Sequence, residues 1–86
     1  MNYVHIFWDD PNDPDGNVQH IGQHQLEMSD VEEVLANPSS ISTSDSTGRP
    51  CVWGYTPEGD YIIVVYEHID RDTIRVVTAY DVPEPS

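Results

Sequence analysis

The chain has 86 residues, which is enough for one domain with a single modest hydrophobic core and too few for two. Sixteen Asp and Glu face three Arg and no Lys, so the formal net charge is −13. This charge disfavours non-specific contact with nucleic acid or anionic membranes, and the lack of lysine excludes a phosphate-binding surface built on lysines. Adaptation to a high-salt habitat would explain the acidity equally well, and both explanations stay open.

The first predicted element is a strand over the alternating stretch NYVHIFW at residues 2–8. The acidic loop DDPNDPDG ends this strand, because its prolines and glycine cannot continue a ladder of hydrogen bonds. The loop has the composition of an EF-hand calcium loop, but with Gly16 at the sixth position of that pattern, Pro11 falls on the first position and Gly22 on the twelfth. We therefore interpret the loop as a turn that leads into a helix.

The next predicted element is a helix that runs to about Gln25, with Asp15 or Asn17 capping its N-terminus. At 100° per residue, His20 and His24 lie on one stripe of this helix. Their spacing of four residues would also suit a metal-binding pair, but no second motif supplies a third ligand. We therefore expect no metal and no other cofactor.

A second short helix is predicted to open with a capping box formed by Ser29 and Glu32 and to end at Asn37–Pro38. The connection between the two helices is tight, as in a helical hairpin. The Ser- and Thr-rich segment 39–50 lacks periodicity, so we expect a mobile surface loop there, with a short edge strand around Ile41.

Three predicted strands follow: CVWGYT, YIIVVYEHI and TIRVVTAYDV, joined by the turns PEGD and DRDT. Both faces of the middle strand, at residues 61–69, are largely apolar, which predicts a central strand covered on both sides. The element order is β-α-α-β-β-β. We therefore predict a single α+β domain over residues 1–86, in which two helices pack on one mostly antiparallel sheet, with frayed ends at 1–2 and 83–86.

The composition also bears on the compartment. Cys51 is the one cysteine, so no internal disulfide can form, and a reducing cytoplasm fits this usage. The sequence lacks the pattern of a signal peptide, and no apolar run approaches the length of a membrane span. We therefore expect a cytoplasmic protein that does not associate with membranes.

Several short motifs resemble those of the BrnT-type toxins, which are small ribonucleases of toxin–antitoxin pairs with a RelE-like fold. The motifs are FWD at residues 7–9, the N-x-x-H and EEVL helices, GRP followed by GY at 48–55, and IRVVTA in the last strand. The stretch from His20 to Pro38 is also similar to a related group of uncharacterised small domains. The resemblance spans residues 6–82 and implies a RelE-like fold, ribonuclease activity and an antitoxin protein as partner.

The resemblance also assigns site residues position by position. Trp8–Asp9 fall where the family has a Trp-Asp pair after its first strand. His24 falls on the family's histidine, although the Lys and Gly that flank it in the family are both absent here. Arg75 matches an arginine of the last strand, and Tyr80 stands where the family has a second arginine. Arg49 matches an arginine that leads into the sheet.

These residue types suit cleavage of RNA by its own 2′-hydroxyl, which needs a base, an acid and positive charge at the phosphate. A histidine side chain is a common general base or acid, so His24 could be either, while Arg49 and Arg75 could stabilise the phosphate through forked donors. Tyr80 could act as an acid or stack on a base. Alternation along the strand would turn Tyr80 away from Arg75 unless a bulge intervenes.

Each candidate also has a structural interpretation. His24 could hydrogen-bond a carbonyl at the end of its helix, and Arg75 could pair with an acidic neighbour such as Glu67. Trp8 and Trp53 fit core or rim positions better than base-stacking positions. Two functions therefore stay open: a metal-independent endoribonuclease that cleaves mRNA, and a non-catalytic protein–protein interaction module with the same fold. The net charge opposes RNA binding by the first of them.

Overall fold

The fold is that of a computed structural model, which describes residues 5–43 and 48–85. Two helices pack on one five-stranded sheet, which is the α+β architecture that the sequence predicts. The elements in chain order are β1 (His5–Phe7), α1 (Asn17–Gly22), α2 (Met28–Ala36), β2 (Ser40–Thr43), β3 (Pro50–Tyr55), β4 (Tyr61–His68) and β5 (Thr73–Asp81).

The sheet has the strand order β1-β5-β4-β3-β2. β1 runs parallel to β5, and the three other strand pairs are antiparallel, as expected for a mostly antiparallel sheet. β1 is so short that it pairs only with residues 73–75. α1 lies along the rest of this side of β5, where Asn17 Nδ2 donates to Val76 O at 3.1 Å.

The hydrophobic core lies between the helices and the sheet face that they cover. α2 contributes apolar side chains at helical spacing, α1 contributes Ile21, and the strands contribute every second residue. Ile6 and Trp8 pack at the edge of the core. The fully or almost fully buried apolar side chains are Ile21, Leu26, Val31, Val34, Leu35, Val52, Ile62, Val64, Tyr66, Ile74, Val76 and Ala79.

A β-bulge in β5 decides which of its side chains point away from the helices. Val65 pairs with Thr78 and Tyr66 pairs with Val76, so Val77 is the extra residue on β5. The bulge shifts the alternation of β5 by one position. Residues after the bulge therefore point to the face opposite to the one that uninterrupted alternation predicts.

We call the face of the sheet away from the helices the open face, because no helix of the described chain covers it. The prediction that β4 is covered on both sides is wrong in this respect, since its open-face residues are only half-buried. Because paired residues point to the same face, the strand register defines the open face. Its residues are His5, Phe7, Ser40, Ser42, Cys51, Trp53, Tyr55, Tyr61, Ile63, Val65, Glu67, Thr73, Arg75, Thr78 and Tyr80.

α1 is shorter than predicted and begins differently. Gly16 occupies the N-cap position, and no side chain caps the helix from there. The Asn17 backbone N–H instead donates to Asp9 Oδ2 at 2.8 Å. The helix ends at Gly22, so His24 lies in the turn that follows it.

α2 also begins earlier than predicted, because a different pair of residues forms its capping box. Glu27 and Asp30 cap each other's backbone N–H groups, with Asp30 Oδ2 accepting from Glu27 N–H at 2.9 Å. The predicted pair, Ser29 and Glu32, therefore lies within the helix. Glu32 instead accepts a long hydrogen bond of 3.4 Å from Trp8 Nε1.

The segment predicted to be a mobile loop contains β2, the short edge strand expected around Ile41. Residues 44–47 lie outside the described part of the chain, as do residues 1–2, so mobility and fraying there stay predictions. Residues 82–85 follow β5 without regular structure. Neither α1 nor α2 is long and apolar enough to cross a membrane.

Candidate functional site

A network of hydrogen bonds joins the end of β1, the start of α1 and the middle of β5. Its hub is Asn17, which is 2% exposed. Asn17 Nδ2 donates to Phe7 O and Val76 O, both at 3.1 Å. Asn17 Oδ1 accepts from Asp9 N–H, and Asp9 Oδ2 accepts from Arg75 Nη2, both at 2.8 Å. The network therefore holds the Arg75 guanidinium in a set position relative to α1.

The same network stabilises the charge of Asp9. The backbone N–H of Asn17 lowers the pKa of the Asp9 carboxyl below its ordinary value, and the Arg75 guanidinium acts in the same direction, while burial opposes both. The side chains of Asp9 and Arg75 are 17% and 32% exposed. Asp9 contacts only one of the five N–H donors of the guanidinium, so Arg75 can bind a further anion without leaving Asp9.

Asp9→Asn is expected to remove a pH-dependent part of the stability. Because the folded pKa of Asp9 lies below its unfolded value of about 3.9, the ionised carboxylate stabilises the fold above about pH 4. This contribution is lost as the pH falls through the folded pKa. Urea unfolding should therefore give a difference between the two chains that is full at about pH 7 and shrinks below about pH 4.

The control for this experiment is Glu58→Gln, which removes an exposed carboxylate in the turn between β3 and β4. It corrects for the general response of a chain with net charge −13 to acid. A difference between Asp9→Asn and the unchanged chain that stayed constant down to about pH 3 would contradict the assignment of the pKa shift to Asp9.

A second cluster joins the end of α1 to β5. His20 Nε2 lies 2.8 Å from Thr78 Oγ1. The ring centroids of His20 and His24 are 5.5 Å apart, and those of His24 and Tyr80 are 5.8 Å apart. Because α1 lies along the side of β5, its histidines reach side chains of the open face. Both histidines and Tyr80 are exposed, so a ligand can reach them.

Both predicted arginines are neighbours of Glu67, a residue of the open face. Arg75 pairs across the strands with Glu67, but its ion pair is formed with Asp9 instead of Glu67, the partner that the sequence suggests. Arg49 Nε lies 3.8 Å from Glu67 Oε2. Glu67 therefore contacts the Arg49 guanidinium and is the cross-strand neighbour of Arg75.

The bulge in β5 brings Tyr80 to the same face as Arg75, which is the exception that strand alternation left open. Thr78, the partner of His20, lies between them on that face. The four residues predicted from the sequence thus border one face in two groups, an arginine pair and a histidine–tyrosine pair. A ring contact joins His24 to Tyr80, whereas Arg49 and Arg75 are related through Glu67, which contacts Arg49 and pairs across the strands with Arg75.

The strands contribute little negative charge to the open face, although Asp9 contacts Arg75 of this face and Glu84 lies near its Tyr55. Among the strand residues that the structure describes, Glu67 is the one acidic side chain on this face, where Arg75 also lies and Arg49 contacts Glu67. The chain as a whole has a net charge of −13. An anionic ligand is therefore repelled less at the open face than the composition implies.

The sequence did not reveal two features of the site. Asn17 was expected to cap a helix, whereas its side chain is buried and donates to a carbonyl on β5 that is 59 positions away. No feature of the sequence indicated that Thr78 contacts His20. The N-x-x-H motif was the one available signal, because it contains both Asn17 and His20.

Neither the cleft in the helix layer nor a metal cluster offers an alternative site. A cleft of about 790 Å³ lies in the helix layer, where Val18, Leu26 and Met28 provide much of its apolar lining, and it contains none of the four predicted residues. In residues 5–43 and 48–85 no group of three or more His, Cys, Asp or Glu side chains could hold a metal ion. The open face therefore remains the candidate site.

Comparisons with known proteins agree with this fold. The crystal structure of the Brucella abortus ribonuclease toxin BrnT is similar, with a TM-score of 0.68 and 17% sequence identity over 94% of this chain and 99% of that chain. At this identity the likeness shows the fold, so the predicted BrnT-type architecture is confirmed. No curated protein matches the sequence. The family described as "Domain of unknown function (DUF4258)" matches residues 17–81, from α1 to the end of β5. The chain therefore belongs to the DUF4258 family.

Proposed function

We propose that this chain is a toxin-like endoribonuclease that cleaves mRNA without a metal ion, and that an antitoxin protein binds it in the cytoplasm. The observation that carries the proposal is the open face, where two arginines and a histidine–tyrosine pair border a surface with few carboxylates. The similar fold of a ribonuclease toxin supports the reaction class. The resemblance of the motifs to toxin–antitoxin proteins supports the partner.

In the proposed reaction His24 accepts the proton of a ribose 2′-hydroxyl, and the oxygen attacks the adjacent phosphorus. The bond from phosphorus to the 5′-oxygen breaks, and that oxygen takes a proton from Tyr80. Arg75 and Arg49 bind the phosphate oxygens, on which negative charge increases in the transition state. The products are a 2′,3′-cyclic phosphate and a 5′-hydroxyl end, so the reaction needs no co-reactant.

The contacts of Arg75 suit this role. Asp9 and Asn17 hold the guanidinium from the side of α1, so it does not have to be ordered when a phosphate binds. Preorganised donors stabilise a developing charge more effectively than mobile ones. His24 is held less firmly, by ring contacts with His20 and Tyr80 at an exposed position.

His24→Ala is expected to relieve the growth arrest that expression of the unchanged chain causes, with the fold intact. Loss of a general base lowers the rate of the chemical step by about 10²- to 10⁴-fold. Growth after induction and cleavage of a defined RNA in vitro measure the effect. The matched control is His68→Ala, which removes an exposed histidine at the end of β4 and should leave both readouts unchanged.

Arg75→Ala should also relieve the arrest, but this variant needs a measurement of stability because it removes the partner of Asp9.

Cleavage should persist in a chelator and should leave a 2′,3′-cyclic phosphate. Moderate salt should help rather than weaken RNA binding, because the global repulsion outweighs the two arginines. A small neighbouring gene that encodes an antitoxin-like protein should abolish the arrest when both genes are expressed.

A second function, a non-catalytic interaction module, is favoured by one observation. Arg75 and Arg49 each already contact a carboxylate, on Asp9 and Glu67 respectively. Full-length expression without growth arrest, together with no RNA cleavage at low or high salt, would favour this module. The fold would then serve as a scaffold for binding another protein.

A further inference from the structure

A second cleft lies on the open face, on the side of the sheet away from β1. It has a volume of about 370 Å³ and lies between β2, β3, β4 and the residues that follow β5. We call it the tail slot. Its lining residues are Ser40, Ser42, Trp53, Tyr61, Pro83 and Pro85.

Two contacts attach the C-terminal residues to the sheet and so form one wall of the slot. Val82 N–H donates to Tyr61 O at 3.1 Å, which extends the pairing of β5 with β4. Glu84 lies near Tyr55, and burial together with this carboxylate raises the pKa of the Tyr55 hydroxyl.

The lining of the slot has the chemistry of a nucleobase site. Trp53 and Tyr61 offer aromatic rings on which a base can stack, and Pro83 and Pro85 offer apolar rings on the other wall. Ser40 and Ser42 provide hydroxyls that can both donate and accept hydrogen bonds, as a base edge requires. Proteins that bind single-stranded nucleic acid commonly stack its bases on aromatic side chains of a sheet face.

The slot also lies at a useful distance from the proposed reacting groups. Trp53 pairs with Ile63, and Ile63 pairs with Tyr80, so the three residues form one row across the open face. Two strand spacings separate the backbones of Trp53 and Tyr80 by about 10 Å. A short stretch of single-stranded RNA can therefore reach from the slot to the histidine–tyrosine pair.

We propose that the tail slot binds an unpaired nucleobase of single-stranded RNA, stacked on Trp53, and so positions the strand for cleavage beside Tyr80. The inference rests on the proposed function, because it names a subsite for the same substrate on the same face. A protein segment is the less favoured occupant. Arg75 on the open face and Arg49, which contacts Glu67 of that face, have forked donors that suit the phosphates of a polyanion that follows the sheet.

Fluorescence of Trp53 tests the proposal directly. In Trp8→Phe, Trp53 is the one tryptophan, and a stacked base quenches its emission. A short 2′-O-methyl oligouridylate serves as the probe, because it lacks the 2′-hydroxyl and cannot be cleaved. We expect saturable quenching of Trp53, whereas an abasic oligonucleotide of the same length should leave the emission unchanged. In the matched variant Trp53→Phe, the remaining Trp8 should not respond to the probe.

Affinities measured by anisotropy of the labelled probe complete the test. Trp53→Leu should weaken binding by about 5- to 150-fold, since stacking on an aromatic ring contributes about 1–3 kcal/mol per base. Trp53→Tyr keeps an aromatic ring and should recover much of the loss. Ending the chain after Val82 removes both proline walls and should also weaken binding. Circular dichroism confirms that each variant is folded.

The outcomes separate this inference from the proposed function. RNA cleavage without quenching of Trp53 would contradict the proposed nucleobase site but support the proposed ribonuclease activity. Quenching of Trp53 by the probe, without cleavage of a cleavable RNA, would support the nucleobase site and contradict the proposed ribonuclease activity. If the probe neither binds nor quenches Trp53 at any salt concentration, the slot proposal is wrong. RNA is then also ruled out as the ligand of the open face.

Discussion

Replacing Asn17 with alanine is expected to lower the free energy of unfolding by about 3 kcal/mol or more, because it leaves buried backbone groups without partners. The side chain of Asn17 accepts from Asp9 N–H and donates to Phe7 O and Val76 O. Each buried polar group without a partner costs about 1–3 kcal/mol. A loss of this size is a large share of the stability of a domain of this length. Urea unfolding followed by circular dichroism measures it.

The matched control is Asn12→Ala. Asn12 is exposed in the acidic loop, and the hydrogen bond that it makes to Asp10 Oδ1 uses its backbone N–H, which alanine retains. We expect a change within about 0.5 kcal/mol, as is usual for surface positions. Asn17→Asp adds a second comparison, since it keeps an acceptor for Asp9 N–H but loses both donors and should also destabilise the chain strongly. Equal stability of Asn17→Ala and Asn12→Ala would disprove the role of Asn17 as a hub.

Gly16→Ala is expected to destabilise the chain by about 1–3 kcal/mol through overpacking. A Cβ atom on Gly16 would lie 2.7 Å from Asp9 Cβ and 3.3 Å from Asp13 Cβ. Asp9 cannot move aside freely, because its carboxylate holds both Asn17 N–H and Arg75 Nη2. The cause is the close approach of two loop segments, since the φ of Gly16 is −82°, a value that any residue adopts.

Gly22→Ala is the control for this substitution. A Cβ atom on Gly22 would meet nothing within 4 Å, and the residue lies in the last turn of α1. Alanine is the better helix former by about 1 kcal/mol, so we expect no loss of stability and a gain of at most that size. The comparison requires urea midpoints with unchanged slopes, so that the shifts report stability. A smaller loss for Gly16→Ala than for Gly22→Ala would refute the steric argument.

Asn17→Ala and Gly16→Ala both disturb the hydrogen-bond network that contains Asn17 and Asp9. This network also orients Arg75, a candidate site residue. A shift of Asp9 in Gly16→Ala would displace its partner, Arg75. If the proposed ribonuclease is active, Gly16→Ala should therefore lower its cleavage rate even where the chain remains folded. Asn12→Ala and Gly22→Ala, which lie outside the network, should retain the full rate.

The last three strands and their antiparallel pairing could be predicted because the signals are local. Alternating apolar residues bounded by PEGD and DRDT indicate three consecutive strands joined by short turns, and such strands pair with their neighbours. The first residues of the helices were harder to predict, because several residues near each helix N-terminus can serve as its cap. Glu27 and Asp30 form the capping box that was predicted for Ser29 and Glu32, and Leu26, which directly precedes Glu27, is buried.

For the candidate site, the residues could be predicted from the sequence but their arrangement could not. His24, Arg49, Arg75 and Tyr80 could be nominated from residue types and motif resemblance, because few other residues in this acidic chain can act on a phosphate. Their arrangement depends on the extra residue in β5, and no composition signal marks Val77 as a bulge. Without that bulge, Tyr80 would face the helices and could not share a surface with Arg75.

The sequence by itself determined an α+β chain with two helices and a mostly antiparallel sheet, because hydrophobic periodicity and turn residues act over short distances. It also limited the chemistry to a few histidines, arginines and tyrosines. Only the tertiary structure decided which face these residues share, how β1 and α1 divide the side of β5, and where Asn17 finds its partners. Those features arise from contacts between segments far apart in the chain, whose register and packing no local pattern encodes.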